Sequence, residues 1–224
     1  MSRPGLNLSL YLVTDTERCG ELGVPATVEA AVTGGVSVVQ VRDAACSDDD
    51  FVALGRAVAT RLVGTGIPLL VNDRVHLADE IGAHGAHIGQ HDLDVAAARR
   101  LLGPARYLGL SVQTTAHVDA AAGAEPGLID YLGVGPVWPQ STKPDGAAPG
   151  GLDQLAAVVA RSHWPCVAIG GVTAGRVRLV RRAGAQGIAV VSAICGHHRP
   201  AAAAARLLAE WNGADDESDL WEQQ

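Results

Sequence analysis

The chain has 224 residues, a formal net charge of −7, and 48% apolar but only 4% aromatic residues. That length suits one large domain with a core of Val, Leu, Ile and Ala, while the acidic balance argues against a nucleic-acid surface and no apolar run is long enough to span a membrane. Cys19, Cys46, Cys166 and Cys195 keep no metal-type or redox spacing, and residues 1–5 lead into a strand-like segment without a signal-peptide apolar region, so a cytoplasmic protein is expected.

In chain order, short β-branched runs alternate with alanine-rich helical patterns. Strands are predicted at 10–14, 36–41, 68–71, 86–88, 107–110, 131–134, 166–169 and 187–191. Helices are predicted at 27–32, 48–62, 95–102, 152–160, 174–183 and 200–211, with loops at 123–127 and 144–151. Continuous apolar strands separated by helices indicate a parallel sheet covered by helices, and eight such units close a (β/α)₈ barrel. The rival is an open doubly wound sheet, but no Gly-x-Gly-x-x-Gly opens a helix after the first strand. No linker divides the chain. One α/β barrel domain is expected over residues 1–212. Residues 213–224, with Asp215, Asp216, Glu217, Asp219 and Glu222 uncompensated, are expected to form a solvated, disordered acidic tail.

Active sites of such barrels gather at the C-terminal strand ends, and the polar residues track those ends. Gln40 and Arg42 follow the second strand, Asn72 and Asp73 the third, Gln90 and Asp92 the fourth and Ser111 the fifth. Ser141, Thr142 and Lys143 follow the sixth, Gly170 and Gly171 the seventh, and Ser192 the eighth. Asp73 and Asp92 offer a modest set of hard oxygen ligands that suits Mg²⁺, which keeps waters and borrows ligands from phosphates; the alternative is that each caps the helix after it. Arg42 and Lys143 are cations suited to a phosphorylated ligand. Lys143 is the single lysine among 17 basic residues, and where arginine is the default a lysine implies a need for a compact point charge. Gly170, Gly171 and the Ser192 turn lie where barrels hold phosphate on backbone N–H groups. Two anion sites imply two phosphorylated substrates. His84, His87 and His91 span a turn, a strand and a loop, so they are read as structural or solvent-facing and not as a zinc site; His197 and His198 are read as exposed.

The segments Tyr11–Asp15 (YLVTD), Gln40-Val-Arg42, Val71-Asn-Asp73, His87–Asp92 (HIGQHD), Gly109-Leu-Ser111, Gly133–Pro139 (GVGPVWP), Thr142-Lys143, Ala168–Gly171 (AIGG) and Val191-Ser-Ala193 resemble thiamine-phosphate synthase, in order and across almost the whole chain. The resemblance implies a (β/α)₈ barrel that joins a hydroxymethylpyrimidine diphosphate to a thiazole phosphate, with Mg²⁺ and release of pyrophosphate. It implies that Gln40 and Arg42, with Asn72, Ser111 and Lys143, serve the pyrimidine diphosphate. Thr142, Gly171, Val191 and Ser192 would cradle the thiazole phosphate, Asp73 and Asp92 would hold the metal, and Val41, Asp43, Ala44, Gln140 and Ser141 are further expected substrate-binding positions. Arg42, Ser111 and Lys143 would carry catalysis. The implied partners are small molecules, with no nucleic acid and no membrane; a homo-oligomer is left open.

Two positions depart from the family pattern: Ala44 stands where a lysine is usual, and Gln140 where a threonine is usual. Losing one charge-assisted contact costs about 1.5–3 kcal/mol, enough to slow such an enzyme without abolishing it. Two alternatives remain. A thiazole tautomerase-like relative would lack the metal carboxylates and carry a histidine where Gln113 stands. A non-catalytic phosphate-ligand-binding paralogue finds support only in Ala44.

Overall fold

The computed structural model describes residues 4–123, 126–140 and 147–213. Eight strands follow one another: β1 (Leu10–Val13), β2 (Val38–Val41), β3 (Leu69–Asn72), β4 (Gly85–Ile88), β5 (Tyr107–Val112), β6 (Tyr131–Val134), β7 (Cys166–Ile169) and β8 (Gly187–Val190). Each pairs in parallel with the next, and β8 returns to β1, so the sheet is a closed barrel. The helices among the described residues are α1 (Thr16–Cys19), α2 (Gly23–Thr33), α3 (Asp48–Leu62), α4 (Ala78–Ile81), α5 (Val95–Leu102), α6 (Thr115–Ala122), α7 (Gly151–Arg161), α8 (Val177–Arg182) and α9 (Pro200–Trp211). No described helix is long and apolar enough to cross a membrane. Ser141, Thr142, Lys143 and the acidic segment 214–224 lie outside the described residues.

The sequence pattern located every strand to within two residues. Its helices were less complete. α6 was not anticipated, although Thr114 caps it by accepting from the His117 N–H; its alanine-rich sequence carries little apolar periodicity. The stretch 174–183 is helical only from Val177, because Gly175 sits at φ +86° and holds the preceding turn open. The remaining starts follow capping rules. Ser47 accepts from Asp50 N–H ahead of α3, whose first turn is acidic, and Pro200 opens α9.

Along each strand the side chains alternate between two apolar layers. Leu10, Leu12, Val39, Val41, Leu69, Val71, Ile88, Leu108 and Leu132 pack outward in the cluster shared with the helices. Leu8, Tyr11, Val13, Val38, Leu70, Tyr131, Val167 and Ala189 form a separate inner cluster. The inward set continues at the C-terminal strand ends with Gln40, Asn72, His87 and Ser111. Pairing aligns Asn72 with His87, His87 with Gly109, and Gly109 with Tyr131, which makes one row across β3, β4, β5 and β6. Glycine is required in that row. A Cβ at position 109 would fall inside van der Waals contact of the Tyr131 ring, its hydroxyl and His87 Nδ1.

Gly109→Ala is therefore expected to destabilise the barrel by about 1–3 kcal/mol, the usual cost of overpacking a filled core. A urea unfolding curve should show the midpoint falling at constant slope; an unchanged midpoint would show that the row has slack.

Candidate active site at the barrel mouth

The first side of the mouth is built from β2 to β5. Gln40 is 3% exposed and donates from Nε2 to Asn72 Oδ1 at 3.4 Å, so two inward amides from neighbouring strands meet. Arg42 follows; its backbone N–H donates to Thr14 Oγ1 at 3.1 Å and its guanidinium stands 3.7 Å from the Asp15 carboxylate. Val41, between them, points outward into the helix-facing core, so anything it offers a ligand comes from its main chain.

The loop after β2 is locked by its own residues. The Asp43 carboxylate accepts from the N–H groups of Ala45 and Cys46 at 3.0 and 3.2 Å. Burial raises its pKa, but hydrogen bonds from Thr16 and these two amides outweigh that and hold it below the ordinary carboxylate range. Arg74, over the Phe51 ring at 4.7 Å, donates to the carbonyls of Asp43, Cys46 and Ser47 and to Asp48 Oδ1. Ala44 sits exposed at the crest of this braced loop.

Asp73 is the only non-glycine residue among those described with positive φ, at +57°, and its N–H donates to the His87 carbonyl at 2.9 Å. Left-handed backbone is unfavourable for any side chain, though less so for Asp, and such residues cluster where function fixes them. Asp92 Oδ2 accepts from the Gly89 N–H at 2.7 Å. The capping alternative fails for both. α5 is capped by Asp94, and the helical turn after β3 has no side-chain cap. Both carboxylates are exposed at adjacent strand ends. This fits a hard cation that keeps its waters. Among the described residues no group of three or more His, Cys, Asp or Glu gathers, so two carboxylates would leave most of a cation's coordination to water and substrate.

The three histidines part company. His84 is exposed and accepts the Leu69 N–H at Nδ1, and His91 is exposed. His87 turns into the barrel. Its Nδ1 lies 2.9 Å from the Tyr131 hydroxyl and its Nε2 lies 2.8 Å from Ser111 Oγ, while the Tyr131 and Tyr11 hydroxyls are 2.8 Å apart. Burial pushes the pKa of both phenols far up, so they remain protonated at neutral pH. Gln90 donates to the Ser111 carbonyl at 2.6 Å. This line of groups was not legible from sequence, where His87 was read as structural or solvent-facing and Tyr131 only as a strand residue.

The second side lies across the mouth, over β7 and β8. Pro139, Gln140, Gly171, Arg176, Val191 and Ser192 line a cavity of about 330 Å³. Gly170 and Gly171 have φ of +93° and +68°, and a side chain on either would collide with the 136–139 segment. Arg176, which sequence reasoning missed, donates to the Gly171 carbonyl at 2.7 Å and lies over the Trp138 ring at 4.9 Å, bringing a cation to this side. The scattered Cys19 and Cys195 come together: the neighbouring thiol draws the Cys19 pKa down and pushes that of Cys195 up, while Cys195 Sγ donates to the Val13 carbonyl at 3.8 Å. His197 and His198 are exposed.

Residues 10–194 match the model of the family described as thiamine monophosphate synthase. A thiamine-phosphate synthase of Psychrobacter sp. (strain PRwf-1) is 43% identical over 203 residues, covering 91% of this chain and 95% of that protein. One of Albidiferax ferrireducens is 46% identical over 200 residues, covering 89% and 90%. A solved thiamine phosphate pyrophosphorylase from Pyrococcus furiosus superposes with a TM-score of 0.80 at 27% identity, covering 92% of this chain and 97% of that one.

The left-handed Asp73 generates a prediction of opposite signs. Asp73→Gly should be at least as stable as the parent in urea, because glycine adopts that φ without steric cost, while any metal-dependent turnover should collapse. A clear loss of stability would mean that the aspartate serves the fold and not the site.

Proposed function

Since the chain belongs to the thiamine monophosphate synthase family, we propose that it joins a hydroxymethylpyrimidine diphosphate to a thiazole phosphate, forming thiamine phosphate and releasing pyrophosphate. The observation that carries this reading is the two-sided mouth, with amides, a hydroxyl and carboxylates over β2 to β5 and a glycine-lined cavity with Arg176 over β7 and β8. In the reaction, the bond between the pyrimidine methylene carbon and the diphosphate oxygen breaks and its electron pair leaves with pyrophosphate. The ring spreads the positive charge left behind, and the thiazole nitrogen lone pair makes the new C–N bond. No protein nucleophile is needed. The protein has to neutralise the leaving group and align two substrates.

On this reading Gln40, Asn72 and Ser111 hydrogen-bond the pyrimidine diphosphate, Arg42 and Lys143 meet its charge, and Val41, Asp43 and Ala44 border it through the loop after β2. Gln140, Ser141, Thr142, Gly171, Val191 and Ser192 receive the thiazole phosphate on hydroxyls and backbone N–H groups. Asp73 and Asp92 would hold Mg²⁺, which when bound supplies charge neutralisation to the diphosphate. A single catalytic barrel of residues 1–212 works on small molecules in the cytoplasm, with no nucleic acid or membrane, and 213–224 is an appended tail. The tautomerase reading is disfavoured because both carboxylates remain and Gln113 already donates to the Ala148 carbonyl.

The test is direct. Purified protein with both substrates and Mg²⁺ should yield thiamine phosphate and pyrophosphate in equal amounts; no product from the two together would overturn the proposal. Asp92→Asn should fold normally and turn over far more slowly, and full activity of that variant in chelator-treated buffer would remove the metal assignment.

Lys143→Arg should lose much of the rate and Lys143→Ala nearly all of it, measured as pyrophosphate release at saturating thiazole phosphate. A guanidinium fork is broader than an ammonium and approaches a departing oxygen differently. Parent-like turnover of Lys143→Arg would leave only a generic cation there.

Ala44 sits on a loop already fixed by Asp43 and Arg74, so a lysine there adds charge without rebuilding it. Ala44→Lys is expected to raise kcat/KM for the pyrimidine diphosphate about tenfold, which is ~1.4 kcal/mol of transition-state stabilisation, at unchanged thiazole phosphate KM. A fall would mean that another residue already covers that oxygen.

A further inference from the structure

The inner barrel holds one polar line in an apolar surround, running from Tyr11 through Tyr131 and His87 to Ser111 at the mouth. Distances do not show where its protons sit, but the chemistry of the ends decides it. Tyr11 is 2% exposed, and among the described residues its hydroxyl has one partner, Tyr131. No buried side-chain N or O among the described residues is left without a partner. A buried hydroxyl proton without an acceptor is the costly arrangement. If Tyr11 donates, its proton is satisfied; if it only accepts, its own proton finds no acceptor among the described residues.

Donation by Tyr11 sets every later bond. Tyr131 accepts from Tyr11 and therefore gives its single proton to His87 Nδ1. A neutral imidazole that accepts at Nδ1 carries its proton on Nε2, and Nε2 faces Ser111 Oγ. Ser111 thus receives a hydrogen bond, and its own proton is left for the mouth. In the reverse direction Ser111 would donate inward and turn lone pairs toward the ligand. Against an anionic ligand the two directions have opposite sign, one attractive and the other repulsive.

We infer that His87 is a positioning residue: fixed as the Nε2–H tautomer by the Tyr11–Tyr131 pair, it makes Ser111 a hydrogen-bond donor to the diphosphate of the pyrimidine substrate. This rests on the substrate reading above for the identity of the anion, but not for the direction of the line. Gly109 and Gly133 keep the path open, since a Cβ at either would press on the His87 ring and one at 109 also on Tyr131. The Gln90 bond to the Ser111 carbonyl holds the serine backbone while its hydroxyl is aimed.

Two measurements test the inference. Nitrogen-15 NMR of ring-labelled histidine in the substrate-free protein should give His87 an acceptor-type Nδ1 and a proton-bearing Nε2. Tyr131→Phe, which keeps the ring and its packing, should shift both signals toward a mixture of tautomers. In kinetics, Tyr131→Phe should lower kcat about tenfold, with thiazole phosphate KM unchanged. In a Ser111→Ala background the same change should cost nothing further, because the effect passes through the serine hydroxyl; a purely structural tyrosine would cost the same factor in both backgrounds. A proton on Nδ1 in the parent, or additive kinetic losses, overturns the inference. The nitrogen shifts are read without substrate, so they decide the direction of the line even if the parent turned over neither substrate, an outcome that would overturn the functional reading instead.

Discussion

The pairing register of β4, β5 and β6 is the constraint on which the site depends. It sets His87, Gly109 and Tyr131 side by side, and the missing side chain at Gly109 lets the two rings meet over the strand between them. A slip of one residue would turn His87 outward into the helix-facing layer and bring an apolar neighbour inside, because side-chain direction alternates with period two. The same alternation sends Gln40, Asn72 and Ser111 inward at the C-terminal ends while Val41, Val71 and Val112 hold the outer core. Stability and site geometry are therefore set by one pattern.

Above this row the mouth divides by charge. Over β2 to β5 the groups are amides, a hydroxyl, Arg42 and two exposed carboxylates; over β7 and β8 they are backbone turns at glycine with Arg176 stacked on Trp138. On the glycine side the 136–139 segment packs closely on the backbone at 170 and 171, an approach that a side chain at either would block. On the carboxylate side Asp73 and Asp92 stand exposed, which is why the metal and the more highly charged diphosphate are proposed there. Asp73 marks where this arrangement opposes local preference, since it alone among described non-glycine residues is held left-handed.

Much of this was legible in the sequence, for physical reasons. Continuous apolar strands can only be buried on both faces, so the parallel barrel followed from pattern, and the polar residues at strand ends followed from the barrel. Boundaries were weaker where glycine intervened, as at Gly175, or where alanine blurred the helical period, as in α6. His87 was placed correctly on its strand, yet its partners were not foreseeable. Tyr131 is 44 residues away and Tyr11 is 120 residues from Tyr131, and nothing local distinguishes an inward tyrosine that carries a proton from one that fills space. The Cys19–Cys195 contact escaped for the same reason, since only closure of β8 on β1 brings the two loops together.

The separation of charge from orientation has its own logic. Arg42, Asp73 and Asp92 lie at the rim, partly or fully exposed, where water screens them and desolvation is modest. The line from Tyr11 to Ser111 starts at two buried tyrosines, ends at the half-buried His87 and Ser111, and is composed wholly of groups that can be neutral. Burying a charge in that inner apolar cluster would cost more than any single contact at the mouth returns. A chain of neutral donors and acceptors can lie there at little cost once every proton has a taker, and because each member has only one proton to give, fixing one end fixes the other. The interior thus imposes direction on the serine without carrying charge, and the charged groups proposed to meet the substrates stay at the mouth.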